Sequence, residues 1–344
     1  MVNMKNYVNW AILAPGRIAN KMAEAMNGEL SRGTKIRLYA VASRNLERAK
    51  DFAVKWHFEK AYGSYEELFA DPEVDAIYVA NPHAFHHESV IAALKAGKHV
   101  LCEKPAGCSR EQLDDMINLA CKNNLFFMEA MWTAFNPCLA EVKKIIEKDT
   151  IGEIKNIDSR FCNRNPYDPA DRNYDPKQAG GALLDLGIYN IYFAMMMADF
   201  SPVTAESSAV RMLKGVDAWN SVNLTFENGI VTSFQDAMDV PSTTGTHAAV
   251  IYGTKGFITI ENFFMAQQAK VYIYKVIKGA DSELVREINK PFATNGYEYE
   301  LKHVTECILS GKTESDIHTF KKSEDLIDVM DALRRDWNFK YPWE

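Results

Sequence analysis

The sequence is short of several features that would give it a simple reading. No apolar run reaches the roughly 18 residues that span a bilayer. The opening MVNMKNYVNW has no apolar stretch of the kind a signal peptide needs. Both observations point to a cytoplasmic protein with no membrane as partner. No CxxC pair occurs among Cys102, Cys108, Cys121, Cys138, Cys162 and Cys307. Most of these lie in apolar or helical surroundings, which fits thiols in a reducing compartment better than a disulfide or a zinc site. Positive charge is also scarce. The 39 Lys and Arg against 46 Asp and Glu leave a net charge of -7, which excludes nucleic acid and anionic membrane as the main partner. Internal repeats and low-complexity linkers are absent. What remains is 47% hydrophobic and 25% charged, the balance of an ordinary globular protein, and 344 residues allow two domains.

The first third alternates β-rich runs with helical patterns. YVNWAIL (7–13) predicts a strand and Ile18–Met26 a helix, and IRLYAVA (36–42) predicts a strand followed by a helix from Asn45 to Trp56. After a short helix at SYEELFADP, VDAIYVA (74–80) is continuously apolar, as a strand buried on both faces should be. A helix near His86–Ala96, the strand KHVLCE (98–103), a helix at Ser109–Asn123 and the strand LFFMEA (125–130) complete the series. This alternation predicts right-handed crossovers and an α/β Rossmann-type fold, a doubly wound parallel sheet.

The pattern then changes. A helix at Pro137–Glu147 precedes the extended runs IKNIDSRFC, SAVRMLKGV, SVNLTFENGIVTSFQDA, HAAVIYGTKGFITIEN and AKVYIYKV. Two of them carry hairpin-like turns, Glu227-Asn228-Gly229 and Gly253-Thr254-Lys255-Gly256. One helix, GGALLDLGIYNIYFAMMM (180–197), interrupts the strands, and two or three helices end the chain from about Tyr297. These features predict a C-terminal α+β domain with a large, mostly antiparallel open sheet. The expected division is 1–128 for dinucleotide binding and 129–344 for substrate binding and dimerisation.

Three stretches bear on chemistry. WAILAPGRIA (10–19) has the shape of a strand-to-helix turn that cradles pyrophosphate. Gly16 permits close backbone approach, Ala19 is small where helix meets strand, and the amides around Arg17 and Ile18 face an anion at a helix N-terminus. Ala14 stands where glycine normally eases the turn, so a plain β-α turn competes with this reading. At the end of the second strand, Ser43-Arg44 replaces the acid that bonds the ribose hydroxyls of NAD, which favours the 2′-phosphate of NADP over NAD, with a solvated helix start as an equal alternative. The third stretch, KHVLCEKPAG (98–107), puts Glu103-Lys104-Pro105 at the carboxyl end of a buried strand, where open α/β sheets bind ligands.

With Asn81-Pro82-His83-Ala84-Phe85-His86 before it, this string resembles the Gfo/Idh/MocA family of nicotinamide-dependent oxidoreductases. In that family an EKP motif follows a T-P-N-x-x-H-like segment. Asn81 and His83 replace the commoner Thr and Asn here. The resemblance implies that Asn81, Pro82, His83, His86 and Glu103 line the cofactor, which is NADP with NAD as the alternative. His83, His86 and His87 share a helix face and invite a metal reading. No further ligand at suitable spacing accompanies them, and no metal is expected.

Asp185 and Tyr189 in GGALLDLGIY are four residues apart, on one face of an apolar helix. Ionisable groups there need partners, and Lys104 is the candidate. The alternative is a capping Asp and a core Tyr. The D-x-G-x-Y form, MEAMWTAFNP (128–137) and Arg172-Asn173-Tyr174-Asp175-Pro176 resemble the branch with dimeric dihydrodiol dehydrogenases, glucose-fructose oxidoreductase and NADP-dependent aldose dehydrogenases. That resemblance implies hydride transfer between nicotinamide C4 and the carbinol or carbonyl carbon of a sugar or trans-dihydrodiol. An ammonium beside a phenol stabilises the phenolate. Tyr189 is therefore expected to move the proton, with Lys104 tuning it and Asp185 orienting Lys104 or the substrate; the alternative makes Lys104 the proton carrier. Trp132 and Phe135 are candidate walls for a sugar ring or arene diol, with a place in the core as the alternative, and Arg172 is expected to contact the substrate. The rival readings are a non-catalytic nucleotide-sensing regulator and a dehydrogenase of an inositol or amino-sugar derivative. The resemblance also implies a homodimer or higher homo-oligomer through the C-terminal sheet.

Overall fold

In the computed structural model, residues 6–28, 31, 35–241, 247–276 and 281–344 are described; the expectation drawn from the opening MVNMKNYVNW falls partly on residues 1–5, which lie outside them. Packing divides the chain into two units, Met1–Ala134 with Phe292–Ile327, and Phe135–Pro291 with Asp328–Glu344.

The first unit is built on six parallel strands. They are β1 (Val8–Leu13), β2 (Ile36–Ala42), β3 (Lys60–Tyr62), β4 (Ala76–Val79), β5 (His99–Glu103) and β6 (Phe127–Ala130), in the order β3-β2-β1-β4-β5-β6. Every residue of β1, β4 and β6 is buried, because helices cover both faces of such a sheet. The crossover helices are α1 (Arg17–Asn27), α2 (Leu46–Trp56), α3 (Tyr65–Ala70), α4 (His86–Lys95) and α5 (Arg110–Lys122). Asn45, Ser64 and Ser109 cap α2, α3 and α5 through their side-chain oxygens. The sequence pattern did not show β3, whose three residues are too few for a periodicity.

Two later helices belong partly to this unit, α8 (Tyr297–Leu309) and α9 (Phe320–Asp336). Helix α8 packs on α1 and β1, and Trp10 Nε1 donates to Thr305 Oγ1 at 3.1 Å. Asn295 donates to Lys21 O at 2.9 Å. The chain therefore re-enters the first unit at Phe292, whereas the sequence reading drew one line between 128 and 129.

The second unit contains α6 (Pro137–Glu147), α7 (Ile188–Met197) and eight strands. These are β7 (Ile154–Cys162), β8 (Val203–Leu213), β9 (Val216–Phe226), β10 (Val231–Ala237), β11 (Ala249–Gly253), β12 (Gly256–Ile260), β13 (Gln268–Tyr274) and β14 (Ser282–Asn289). Their order is β14-β13-β12-β11-β7-β10-β9-β8, antiparallel except where β7 meets β10. Burial alternates along β11 and β12, the mark of a sheet with one covered face. Helix α7 covers that face at β7 and β10, and α6 packs on β13 and β14. SAVRMLKGV is not a single strand. Lys214 (φ 54°) and Gly215 (φ 90°) turn the chain between β8 and β9, the left-handed pair that a tight hairpin requires.

The segment Pro176–Met197 is long and apolar enough to cross a membrane, but it is 89% buried inside the protein. It is the helix around which the second core packs. All six cysteines are free thiols.

Candidate active site

The strand order of the first unit reverses between β1 and β4, and ligands of open α/β sheets bind at the carboxyl ends beside such a reversal. The residues singled out in the sequence sit at those ends. Beyond β1, Ala14 adopts φ 69°, the left-handed conformation that glycine usually supplies. Its carbonyl accepts from Gly16 N at 2.8 Å. Gly16 caps α1 with extended backbone and no side-chain bond to the first turn, which leaves the amides of that turn for an anion. A Cβ on Gly16 would meet nothing closer than Ala14 O at 3.9 Å, so no neighbour in the protein requires glycine there.

Beyond β2, Ser43 is buried and its Oγ accepts from Asn45 N at 3.3 Å, while Arg44 is exposed. Sequence reasoning missed Arg48. It lies in the first turn of α2 and donates to Pro15 O at 3.1 Å, tying α2 to the loop. No local sequence signal marks that bond, which spans 33 positions. Burial raises the Tyr65 hydroxyl above its ordinary pKa, and the charges of Arg44 and Arg48 oppose that rise. Both guanidinium groups thus act on one locality.

Beyond β4 and β5, a single histidine explains why two motifs occur together. The ring nitrogens of His86 contact Pro105 O and Asn81 O, each at 2.7 Å, so neither nitrogen is offered to a metal. His83 packs edge-on against His86 at 5.7 Å, and His87 faces Asp115 at 3.3 Å. Asn81 Nδ2 donates to Ser89 Oγ at 2.8 Å, whereas its buried Oδ1 has no partner in the protein. Tyr78 donates its hydroxyl proton to Glu103. Lys104 is buried and precedes a cis peptide bond to Pro105.

Behind this loop lies a network absent from the sequence reading. Ala106 N donates to Glu129 Oε1 at 2.9 Å, and Glu129 Oε2 meets His318 Nε2 at 3.1 Å and Ser323 Oγ at 3.0 Å. Burial works to raise the Glu129 pKa, yet the bonds from His318, Ala106 and Ser323 hold it below the ordinary carboxylate range. Glu300 is the opposite case. It is fully buried with neither oxygen bonded, and burial together with the charge of Glu103 pushes its pKa well up.

In the second unit, Asp185 lies in a π-helical turn, Leu183–Gly187, in which Ile188 N donates to Leu183 O. Tyr189 follows in the first turn of α7. Such turns occur disproportionately at functional sites. Asp185 pairs with Arg172 at 3.4 Å. Tyr189 is buried among Phe161 and Phe264, with ring centres 5.7 and 5.4 Å away. The turn is held from below by polar groups that the sequence did not flag. Asp217 Oδ2 accepts from Leu183 N at 2.6 Å and from Asn220 Nδ2 at 2.8 Å, and Asn220 also donates to Asp236 at 2.5 Å. A Cβ on Gly187 would lie 3.0 Å from Asp236 Oδ1. Burial pushes the Asp217 carboxyl up to about 6 and that of Asp236 well above its ordinary value. Of the expected aromatic contacts, Trp132 stacks on Tyr297 at 4.4 Å within the first unit, and Phe135 is half-buried.

Comparisons with known proteins agree along the chain. Residues 8–131 match the oxidoreductase family GFO/IDH/MocA with an NAD-binding Rossmann fold, and residues 139–259 match the GFO/IDH/MocA C-terminal domain. The chain is 34% identical to trans-1,2-dihydrobenzene-1,2-diol dehydrogenase of Xenopus laevis, over 97% of this chain and 99% of that one. It is 33% identical to the human enzyme of that name, over 97% and 98% of the two chains. Among solved structures, a 3-ketoreductase from Actinomadura kijaniata in complex with NADP and TDP-benzene is 26% identical with a TM-score of 0.83, covering 96% of this chain and 98% of that one. Levoglucosan dehydrogenase, in complex with NADH and levoglucosan, shares the fold at 20% identity and a TM-score of 0.84, covering 96% of each chain.

Proposed function

The chain belongs to the Gfo/Idh/MocA oxidoreductases, NAD(P)-dependent enzymes, and from that premise we propose that it oxidises or reduces a carbinol or carbonyl carbon of a trans-dihydrodiol or sugar, with NADP preferred. The observation that carries this reading is the convergence of Ala14–Ile18, Ser43-Arg44, Asn81–His86 and Glu103-Lys104 at the carboxyl ends of β1, β2, β4 and β5. The residues present suit a dinucleotide. The first turn of α1 is uncapped by any side chain, Gly16 is free of steric need within the protein, and Asn81 Oδ1 is a buried acceptor awaiting a donor. In this reading the α1 amides hold pyrophosphate, and Ser43, Arg44 and Arg48 hold the 2′-phosphate. Pro82, His83 and His86 wall the nicotinamide side.

The bound nicotinamide supplies or accepts the hydride. The protein's task is the proton of the substrate hydroxyl. Tyr189 gives or takes it, Lys104 donates a bond to the reacting oxygen, and Asp185 with Arg172 fixes the substrate hydroxyls. Phe135 and Trp132 supply apolar surface for a ring.

A homodimer through the open sheet is part of the proposal. Tyr252, Phe257 and Tyr272 form a row across β11, β12 and β13 with ring centres 6.2 and 4.7 Å apart, an apolar strip of the kind that partners cover. Six free thiols support a reducing, cytoplasmic setting. The experiment is a screen of trans-diols and aldoses with NADP and NAD, followed by the absorbance of reduced nicotinamide. Turnover of a diol or sugar with NADP ahead of NAD is expected. Nicotinamide binding without turnover of any of them would overturn the substrate assignment.

A further inference from the structure

We propose that His303, Cys307 and Asp316 form a site for a divalent transition-metal ion of the zinc type, apart from the residues assigned above to the reaction. His303 and Cys307 lie one turn apart on α8, and Asp316 follows in the turn that leads to α9. The donor atoms, an imidazole nitrogen, a sulfur and a carboxylate oxygen, all lie within 4.8 Å of one another.

Two separations bear directly on metal geometry. Cys307 Sγ is 3.4 Å from His303 Nε2, and His303 Nε2 is 3.6 Å from Asp316 Oδ1. Tetrahedral zinc, with bonds of about 2.3 Å to sulfur and about 2.1 Å to nitrogen or oxygen, sets these edges at about 3.6 and 3.4 Å. These two edges thus need shifts of only tenths of an ångström to close on an ion, and the third, from Cys307 to Asp316, lies within 4.8 Å.

The hydrogen bonding presents the correct nitrogen. Ser315 Oγ accepts from Ile317 N at 3.1 Å and from His318 N at 3.0 Å. With both lone pairs used, Ser315 gives its own proton to His303 Nε2 at 2.8 Å. That nitrogen is therefore the unprotonated one, and because it carries a single in-plane lone pair, an ion bound at Nε2 takes the place of the Ser315 hydrogen bond. Burial favours the neutral ring, lowering the His303 pKa. Asp316 Oδ1 stands 3.6 Å from the same nitrogen, close enough for one cation to take both as ligands. Lys312 neutralises the far side, its Nζ bonding Asp316 Oδ2 at 3.0 Å, and Oδ1 is the oxygen on the histidine side. Glu306, beside Cys307, adds negative charge to the neighbourhood.

The donor set selects the ion. Thiolate and imidazole favour zinc or cobalt over magnesium or calcium, which prefer oxygen alone. Binding replaces the Cys307 thiol proton, which leaves to solvent, and a water completes the four-coordinate shell. The ion would clamp the end of α8 to the turn that delivers His318 to Glu129. The long sequence gap before Asp316 explains why no motif revealed the set.

The test uses the full-length protein, freed of metal by chelation and titrated with Co2+. One equivalent per chain with a thiolate-to-cobalt charge-transfer band, displaced by Zn2+, is expected. Cys307→Ser should abolish the band, Cys121→Ser should retain it, and Asp316→Asn should weaken binding on the order of tenfold. Absence of a stoichiometric band, or its persistence in Cys307→Ser, overturns the proposal. If Cys307→Ser fails to fold, exposed Asp316 decides the matter, because unchanged cobalt affinity in Asp316→Asn is equally fatal.

Discussion

The two sheets bury their strands in different ways, and their candidate residues differ accordingly. The parallel sheet of the first unit is covered on both faces, so β1, β4 and β6 are buried throughout. Function is left to the strand ends, where backbone amides and loops gather. The open sheet of the second unit is covered on one face, and its candidate residues stand on the covering segment, in the π turn and the first turn of α7. The supports differ as well. Pro105 and Ala106 are held by bonds to His86 and Glu129. The π turn is held by carboxyls that burial keeps in their neutral form to unusually high pH. A cofactor cradle made of backbone tolerates side-chain variation, whereas a proton-handling group depends on single side chains.

That contrast can be broken experimentally, beginning with the largest effect. Tyr189→Phe should lower kcat by about a hundredfold or more and leave NADPH affinity unchanged. Steady-state kinetics with a parallel fluorescence titration would show it, and unchanged turnover would remove Tyr189 from the chemistry.

Asp217→Asn probes the buried carboxyls. The folded pKa of Asp217 is raised to about 6, so its contribution to stability is full below the ordinary Asp range and is lost as pH rises through about 6. The variant should flatten the fall in stability between pH 4 and 7 by about 2 kcal/mol. Thermal melts across that range would read it, and a slope equal to the parent's would mean that Asp217 does not titrate there.

The cofactor side comes next. Gly16→Val should weaken NADPH binding by at least about tenfold at an unchanged Tm, since the added Cβ meets only Ala14 O within the protein. Equal loss of affinity and stability would make the glycine structural. Arg44→Ala should cost about 1.4 kcal/mol of NADP affinity and spare NAD; matched losses for both nucleotides would reject the 2′-phosphate role. The smallest effect belongs to Ala14→Gly, which relieves a left-handed alanine and should stabilise by about 0.5 kcal/mol after the entropy of the unfolded chain is counted.

The architecture of the first unit was legible because burial on both faces writes continuous apolar runs such as AIYV of β4, and IRLYAVA became β2 without a shifted boundary. The turn from β1 into α1 was legible as well, though the left-handed residue in it is Ala14 rather than Gly16. In the second unit the pattern of extended runs was readable, but the Lys214-Gly215 turn was hidden inside one of them, and β14 carries a mostly exposed sequence with little periodicity. The Asp185–Tyr189 spacing read as one face of a regular helix. The π turn that widens it depends on Asp217, more than 30 residues downstream, whose bond to Leu183 N spans 34 positions. The reading of Asp185 as a partner of Lys104 did not include Arg172, which pairs with it in the structure.

The sequence by itself determined the local matters. Periodicity set the two kinds of sheet, the turn at Ala14-Pro15-Gly16 set a helix start with no side-chain cap, and the EKP segment marked the carboxyl end of β5. Only the tertiary structure decided which distant groups hold those segments. His86 joins residues 81 and 105, Glu129 joins 106 to 318 and 323, and α8 returns to the first unit from the far end of the chain. The physical reason is range. Strand and helix patterns arise from neighbours a few residues apart, whereas a buried polar group takes whatever partner the fold brings within about 3 Å.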